Sequence, residues 1–277
     1  MSDPVSPAAA APALPLPTGP LWMIGCGNMG GAMLRRWVAA GLDPHGVTVI
    51  TRSGRQPVPG VRALTVLPVD EEPATLVLAL KPQQIDDVAL GHLHPALLLS
   101  VLAGVEEAAL AARIPGARAI VRAMPNLPVA IGQGVTALYS AGADAAARDA
   151  ATALSAPLGL VEWIDDEDAF GAVTALAGCG PGFVFRFADA LATAGTRLGL
   201  PADQAMRLAL ATLAGSATMA LDADVSPATL ADRVASPGGS TREGLNVLDA
   251  DAALVRLMTD TLAASARRNA EMAAAAR

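Results

Sequence analysis

"PLWMIGCGNMGGAMLRRWVAAGL", residues 20–42, is the stretch whose reading decides the fold. Four apolar residues, Leu21 to Ile24, run into Gly25, Gly27 and Gly30, and an apolar pattern of helical period follows. An unbroken apolar run fits a strand covered on both faces, and the pattern after it fits a helix packed on one side. G-x-G-x-x-G is weak as a bare motif, but between a strand and a helix it marks a dinucleotide loop. Gly25 then makes the tight turn, Gly27 lets the backbone approach a pyrophosphate, and Gly30 lets the helix lie close to the sheet. The open helix start supplies N–H groups to the phosphates. The plainer alternative is a glycine-rich turn that holds nothing.

Outward from this loop the same beat continues. "VTVITRS", "ATLVLALKP", "ALLLSVLAG" and "ARAIVRAMP" read as strands, with helical "QQIDDVALGHL" and "EEAALAARI" between them. A strand "VTALYS", a helix over about 143–157 and a strand "LVEWI" follow. This alternation predicts an α/β Rossmann-type domain, a parallel doubly wound sheet, over 21–164. From about 166 only helical patterns remain, the last from Thr241 to the end, so 165–277 is expected to be an all-α domain. Residues 1–20 are rich in Pro and Ala, lack Lys and Arg, and read as a disordered tail rather than a signal peptide. Residues 169–185 carry no charge, but "GCGPG" would interrupt a spanning helix. Two buried helices meeting at a turn, at a subunit interface, are expected there instead of a membrane span.

Composition narrows the function. The chain of 277 residues has a formal net charge of −7 and lacks the basic stripe of a nucleic-acid binder. Its two cysteines, Cys26 and Cys179, have no metal-ligand spacing and suit a reduced, cytoplasmic setting. At the end of the second strand, where NAD enzymes place a carboxylate, stand Thr51, Arg52 and Ser53. A guanidinium with two hydroxyls suits a 2′-phosphate, so NADPH is the expected cofactor, with NADH the alternative. Lys81, followed by Pro82, is the only lysine among 19 basic residues and ends a predicted strand, where ligands of open α/β sheets bind.

The helical half is short of proton donors. His45, His92 and His94, Lys81 and the single Tyr139 all precede it. A hydroxyacid dehydrogenase, which needs such a group, is therefore poorly supported. An imine suits this chain better, because an iminium accepts hydride directly and the protein need only orient it. "SPGGST", residues 236–241, opens a helix. It is a turn and an N-cap on one reading and a carboxylate cradle on the other.

Taken together, these motifs resemble the pyrroline-5-carboxylate reductase family from about Leu21 to the C-terminus. The likeness lies in "MIGCGNMGGAM", "TRS", "ALKPQQ", "SVLAGV", "RAMPNLPVAIGQG" and above all "RVASPGGSTREGL", followed by a helix ending in "RRNAEM". It implies a Rossmann domain with a helical dimerisation domain, assembled as homodimers or larger rings of dimers. It implies reduction of the C=N bond of 1-pyrroline-5-carboxylate to L-proline, the last step of proline biosynthesis, by NAD(P)H. By the likeness, Gly25, Cys26, Gly27, Asn28 and Met29 take the pyrophosphate, and Thr51, Arg52 and Ser53 the adenosine phosphate. Ala79, Leu80, Lys81, Pro82, Met124, Pro125 and Asn126 lie by the nicotinamide, with Asn126 also near the substrate. Ser236, Gly238, Gly239, Ser240 and Thr241 hold the substrate carboxylate, with the Thr241 hydroxyl at the ring nitrogen. Asp224 stands where the family has an acidic residue, usually Glu. The chain departs at "AGCGPGF", where Ala177, Cys179 and Gly182 replace Ser, Ser and Ala. That leaves open a reductase of another cyclic imino acid. A β-hydroxyacid-type dehydrogenase and a non-catalytic NADP(H)-binding regulator are the remaining alternatives.

Overall fold

The computed structural model describes residues 16–275, so most of the tail read over 1–20 lies outside the described residues. Eight strands form one sheet: β1 Leu21–Ile24, β2 Val47–Ile50, β3 Arg62–Leu64, β4 Thr75–Leu78, β5 Leu97–Ser100, β6 Ile120–Pro125, β7 Gly134–Tyr139 and β8 Gly159–Trp163. Their order is β3-β2-β1-β4-β5-β6-β7-β8. Every pair is parallel except β6–β7, where Met124 faces Ala137 in an antiparallel register. The sheet is therefore mostly parallel rather than wholly so. A parallel return needs a crossover of about a dozen residues, and only residues 126–133 join β6 to β7.

Helices cover the sheet. Helix α1 is Asn28–Ala39, α2 Glu107–Arg113 and α3 Ala145–Ser155. Between β4 and β5 the expected α-helix is only a 3-10 segment, Pro82–Asp87. The helical stretch stops there because Gly91 and Pro95 break the run. Neighbouring residues on each strand face opposite cores. Met23, Val77 and Leu99 join Met33, Leu34 and Trp37 of α1, while Trp22, Leu76 and Leu98 join Leu93, Leu110 and Ile114. Each such side chain, fully buried, stabilises the fold by roughly 1.5–3 kcal/mol. The buried Trp37 indole N–H donates to the Leu154 carbonyl and ties α1 to α3.

After β8 the described chain is helical: α4 Phe170–Val173, α5 Gly180–Arg197, α6 Ala202–Leu221, α7 Pro227–Arg233, α8 Ser240–Asp249 and α9 Ala253–Ala275. Instead of a turn between two buried helices, a π-helical stretch, Thr174–Gly178, joins α4 towards α5. The single helix expected from Thr241 onward breaks at Asp251 and Ala252, which take φ of 50° and 55°. Compactness divides the described residues into two units, Gly182–Ala264 and the remainder, which includes 265–275. The sheet-bearing unit extends past β8 because Phe170 packs under the Arg122 guanidinium and against Tyr139. In the helical unit the buried cluster is small, Ala192, Ala205 and Ala209, while Phe185, Phe187, Leu208, Leu210 and Leu257 are exposed. One helical stretch, Glu167–Arg197, is long and apolar enough to cross a membrane by length and composition alone, and little of it is buried.

Candidate active site

Sterics account for two of the three loop glycines. Gly25 has φ +83°, and a Cβ there would sit 2.6 Å from the Leu80 nitrogen. A Cβ on Gly30 would come within 2.9 Å of the Ala79 Cβ, so a side chain would push α1 off the sheet. Gly27 has nothing within 4 Å of the same position and faces open space. It is also the N-cap of α1, with no side-chain cap and no acidic residue in the first turn. The N–H groups of Asn28, Met29 and Gly30 are thus left for a ligand. Gly25 N–H donates to the Ile50 carbonyl (2.9 Å) and Ala79 N–H to that of Ile24 (2.8 Å), which locks the loop between β2 and β4. Lys81 is exposed just beyond β4, and Pro82 opens the 3-10 segment.

The end of β2 turns tightly. Gly54 N–H donates to the Thr51 carbonyl at 3.2 Å, so Arg52 and Ser53 form the corner. The Thr51 and Ser53 hydroxyl oxygens lie 3.5 Å apart, and Ser53 Oγ accepts from Arg55 N–H at 3.3 Å. Beside this turn lies a cleft of about 310 Å³, lined among others by Cys26, Gly27, Arg35, Thr51, Ser53 and Arg55, with no carboxylate. Arg52 is exposed and does not line it. Burial pushes the Cys26 thiol up, partly offset by the Arg35 guanidinium. Open backbone, two hydroxyls and two guanidiniums without an acid fit a dinucleotide carrying an extra phosphate.

At the end of β6, Met124 is half-buried and Asn126 is 7% exposed. The Asn126 amide oxygen accepts from Val135 N–H (2.8 Å), and its amide N–H donates to the Ala177 carbonyl (3.0 Å). Pro181, four residues after Ala177, has no N–H to give that carbonyl. The Asn126 side chain fills the gap. Two residues before Pro181, Cys179 N–H reaches back five positions to the Thr174 carbonyl (2.8 Å), closing the π turn. The Cys179 thiol sulfur accepts from the Ser265 hydroxyl at 3.1 Å. Nearby, the buried Arg122 pairs with Glu167, whose carboxylate also accepts from Glu107 N–H (2.8 Å). Burial pushes the Glu107 carboxyl up, with Glu167 adding to the rise and the Ala141 N–H opposing it. A larger cleft of about 450 Å³ is lined in part by Gly104, Arg122, Met124, Glu167, Thr174 and Asn269.

In the helical unit, Gly238 takes φ +70°, and Gly239 N–H donates to the Ser236 carbonyl at 2.9 Å. A Cβ on Gly239 would meet Ser236 Oγ at 2.7 Å. Gly239 caps α8 without a side-chain hydrogen bond, which leaves the N–H groups of Ser240, Thr241 and Arg242 open. The Arg242 guanidinium donates to Asp232 (2.8 Å) and the Ala235 carbonyl (3.4 Å), pinning the loop from α7. Ser236, Ser240, Thr241 and, between α6 and α7, Asp224 are exposed. Each unit thus gathers its own set of expected residues, with Arg52 outside the small cleft and the Asn126 amide engaged by the protein. Arg35 and Arg55 are the additions. Gly27, Gly31 and Arg35 follow at every fourth position, so the sequence already placed Arg35 on the loop's face of α1. Among the described residues no group of three His, Cys, Asp or Glu gathers to hold a metal.

Residues 167–272 match the model for pyrroline-5-carboxylate reductase dimerisation. Over 262 residues the chain is 35% identical to the pyrroline-5-carboxylate reductase of Pseudomonas aeruginosa, covering 90% of this chain and 95% of that one. The chain belongs to the pyrroline-5-carboxylate reductase family. Its Pisum sativum relative is 33% identical over 260 residues, covering 89% of this chain and 94% of the relative. The solved Coxiella burnetii enzyme of the family has a TM-score of 0.81 at 30% identity, covering 92% of this chain and 98% of that one. Residues 21–104 also match the model described as NADP oxidoreductase, coenzyme F420-dependent.

Proposed function

We propose that this protein reduces 1-pyrroline-5-carboxylate to L-proline with NADPH. The observation that carries the reading is the uncapped start of α8, where three N–H groups and the Thr241 hydroxyl stand open on a loop shaped by Gly238 and Gly239. A helix N-terminus favours a carboxylate there. The reduced nicotinamide supplies a hydride. The chain's own part is to orient the imine and steady its charges. The N–H groups of residues 240–242 and the Ser236 hydroxyl hold the substrate carboxylate. As the C=N electron pair moves onto nitrogen, the Thr241 hydroxyl donates a hydrogen bond to it, and Asp224, standing where the family has an acidic residue, contributes a negative charge. Gly25 to Met29 hold the pyrophosphate, while Lys81, Pro82, Met124 and Pro125 wall the nicotinamide. Asn126 supports that wall through its two hydrogen bonds.

Thr241→Ala is expected to lower kcat for the imine by about 10²-fold or less, since the iminium still accepts hydride. NADPH affinity should stay near wild type. An unchanged kcat would remove Thr241 from the mechanism. Cys179 in place of Ser, a weaker donor, favours testing a panel of cyclic imino acids. Turnover confined to a different ring would shift the substrate. NADPH binding with no turnover on any would leave a regulator. A homodimer through the apolar helical face, or a ring of dimers, and a cytoplasmic setting complete the reading. Two free thiols support the latter.

A further inference from the structure

We propose that Arg35 and Arg55, rather than Arg52, select the phosphorylated form of the dinucleotide. This rests on the cofactor half of the reading above. The turn at the end of β2 is closed by the Gly54 N–H, and its geometry leaves Arg52 at the corner, exposed and off the cleft. The chain then reverses, with Arg55 N–H bound to Ser53 Oγ, and Arg55 comes back to the cleft. Arg35 reaches the same cleft from α1. Its guanidinium lies 3.2 Å from where a Cβ on Gly31 would stand, so Gly31 clears its path across the helix. Neither guanidinium enters an ion pair among the described residues, and no carboxylate lines the cleft. Two like charges facing one cavity repel unless an anion lies between them. A 2′-phosphate, with close to two negative charges and three acceptor oxygens, meets both forks and the Thr51 and Ser53 hydroxyls.

Calorimetric titration with NADPH, NADH and 2′,5′-ADP tests this. Arg35→Gln and Arg55→Gln should each weaken NADPH and 2′,5′-ADP at least about tenfold, the loss of one charge-assisted contact. NADH should change less than about twofold, since it lacks the phosphate. The double variant should bind the two dinucleotides alike, and Arg52→Gln should keep the preference for NADPH. Arg35→Lys and Arg55→Lys keep the charge without the fork and should lose less than the Gln variants. They also guard against a Gln variant that fails to fold. Loss of preference in Arg52→Gln alone, or equal weakening of NADPH and NADH, would overturn the assignment. A wild-type protein that binds NADH as tightly would overturn it too, yet leave the imine reductase reading intact. Selective NADPH binding without imine turnover would overturn that reading and leave this one standing.

Discussion

The two units bury their apolar residues differently. In the sheet-bearing unit, strand residues alternate between two cores, and Trp22, Trp37, Met33, Leu98 and Leu110 are all but inaccessible. The helical unit buries a cluster of three alanines and leaves Phe185, Phe187, Leu208 and Leu257 in the open. An apolar face of that kind needs a cover, and residues 167–272 match a dimerisation model. One unit carries its own core, while the other exposes an apolar face of the kind that homo-oligomers cover.

That contrast can be broken from either side. The largest effect is expected for Phe187→Asp. A charge on that exposed apolar face should raise the dimer dissociation constant by about 10³-fold or more and lower the thermal midpoint in a concentration-dependent way. Sedimentation velocity reads it, and an unchanged dimer would place the contact elsewhere. Next comes Trp37→Ala, expected to cost about 3–5 kcal/mol by denaturant titration while the dimer persists. A shift below about 1 kcal/mol would contradict a self-sufficient core. Asn126→Ala strips partners from the Val135 N–H and the Ala177 carbonyl, and about 2 kcal/mol is expected. Asn126→Asp keeps an acceptor for Val135 but no donor, and should restore only part.

The smallest effect concerns pH. The Glu107 carboxyl titrates above its ordinary value of 4.5 because burial disfavours its charge. The native state then holds a proton that the unfolded chain has already released. Stability from this group is present below the ordinary value and is lost as pH rises through the raised one. Thermal midpoints measured from pH 4 to 7 should show wild type losing ground to Glu107→Gln across that window. A constant difference between the two would mean that Glu107 does not titrate there.

How far the sequence revealed this depended on the kind of signal. Buried strands such as Leu76–Val77–Leu78 stand out because apolar residues follow one another without a polar break. The three-residue β3 is half-exposed and gives no such run. The direction of β7 is set by the shortness of the 126–133 link, a constraint of length rather than of pattern. Gly25 and Gly30 were legible because their spacing encodes close approach, and the distances to Ala79 and Leu80 show what is approached. The corner position of Arg52 was not, because one hydrogen bond from Gly54 decides it. The hydrogen bond of the Asn126 amide to the carbonyl that Pro181 leaves free is not legible either, because it pairs residues 51 apart.

That π turn has a consequence for descent as well as for packing. A π turn holds one residue more than the α-helical turn it replaces, so Thr174–Gly178 amounts to a one-residue insertion fixed in place. Deleting a single residue there would wind the stretch into regular helix. The side chains of α5 would keep their phase around the axis relative to α4, because the wider turn and the α-helical turn each make one full rotation. Regular winding at the present length would instead turn the face of Phe187 and Leu191 by about 100°, so the π turn is what absorbs the extra residue and keeps that face in phase.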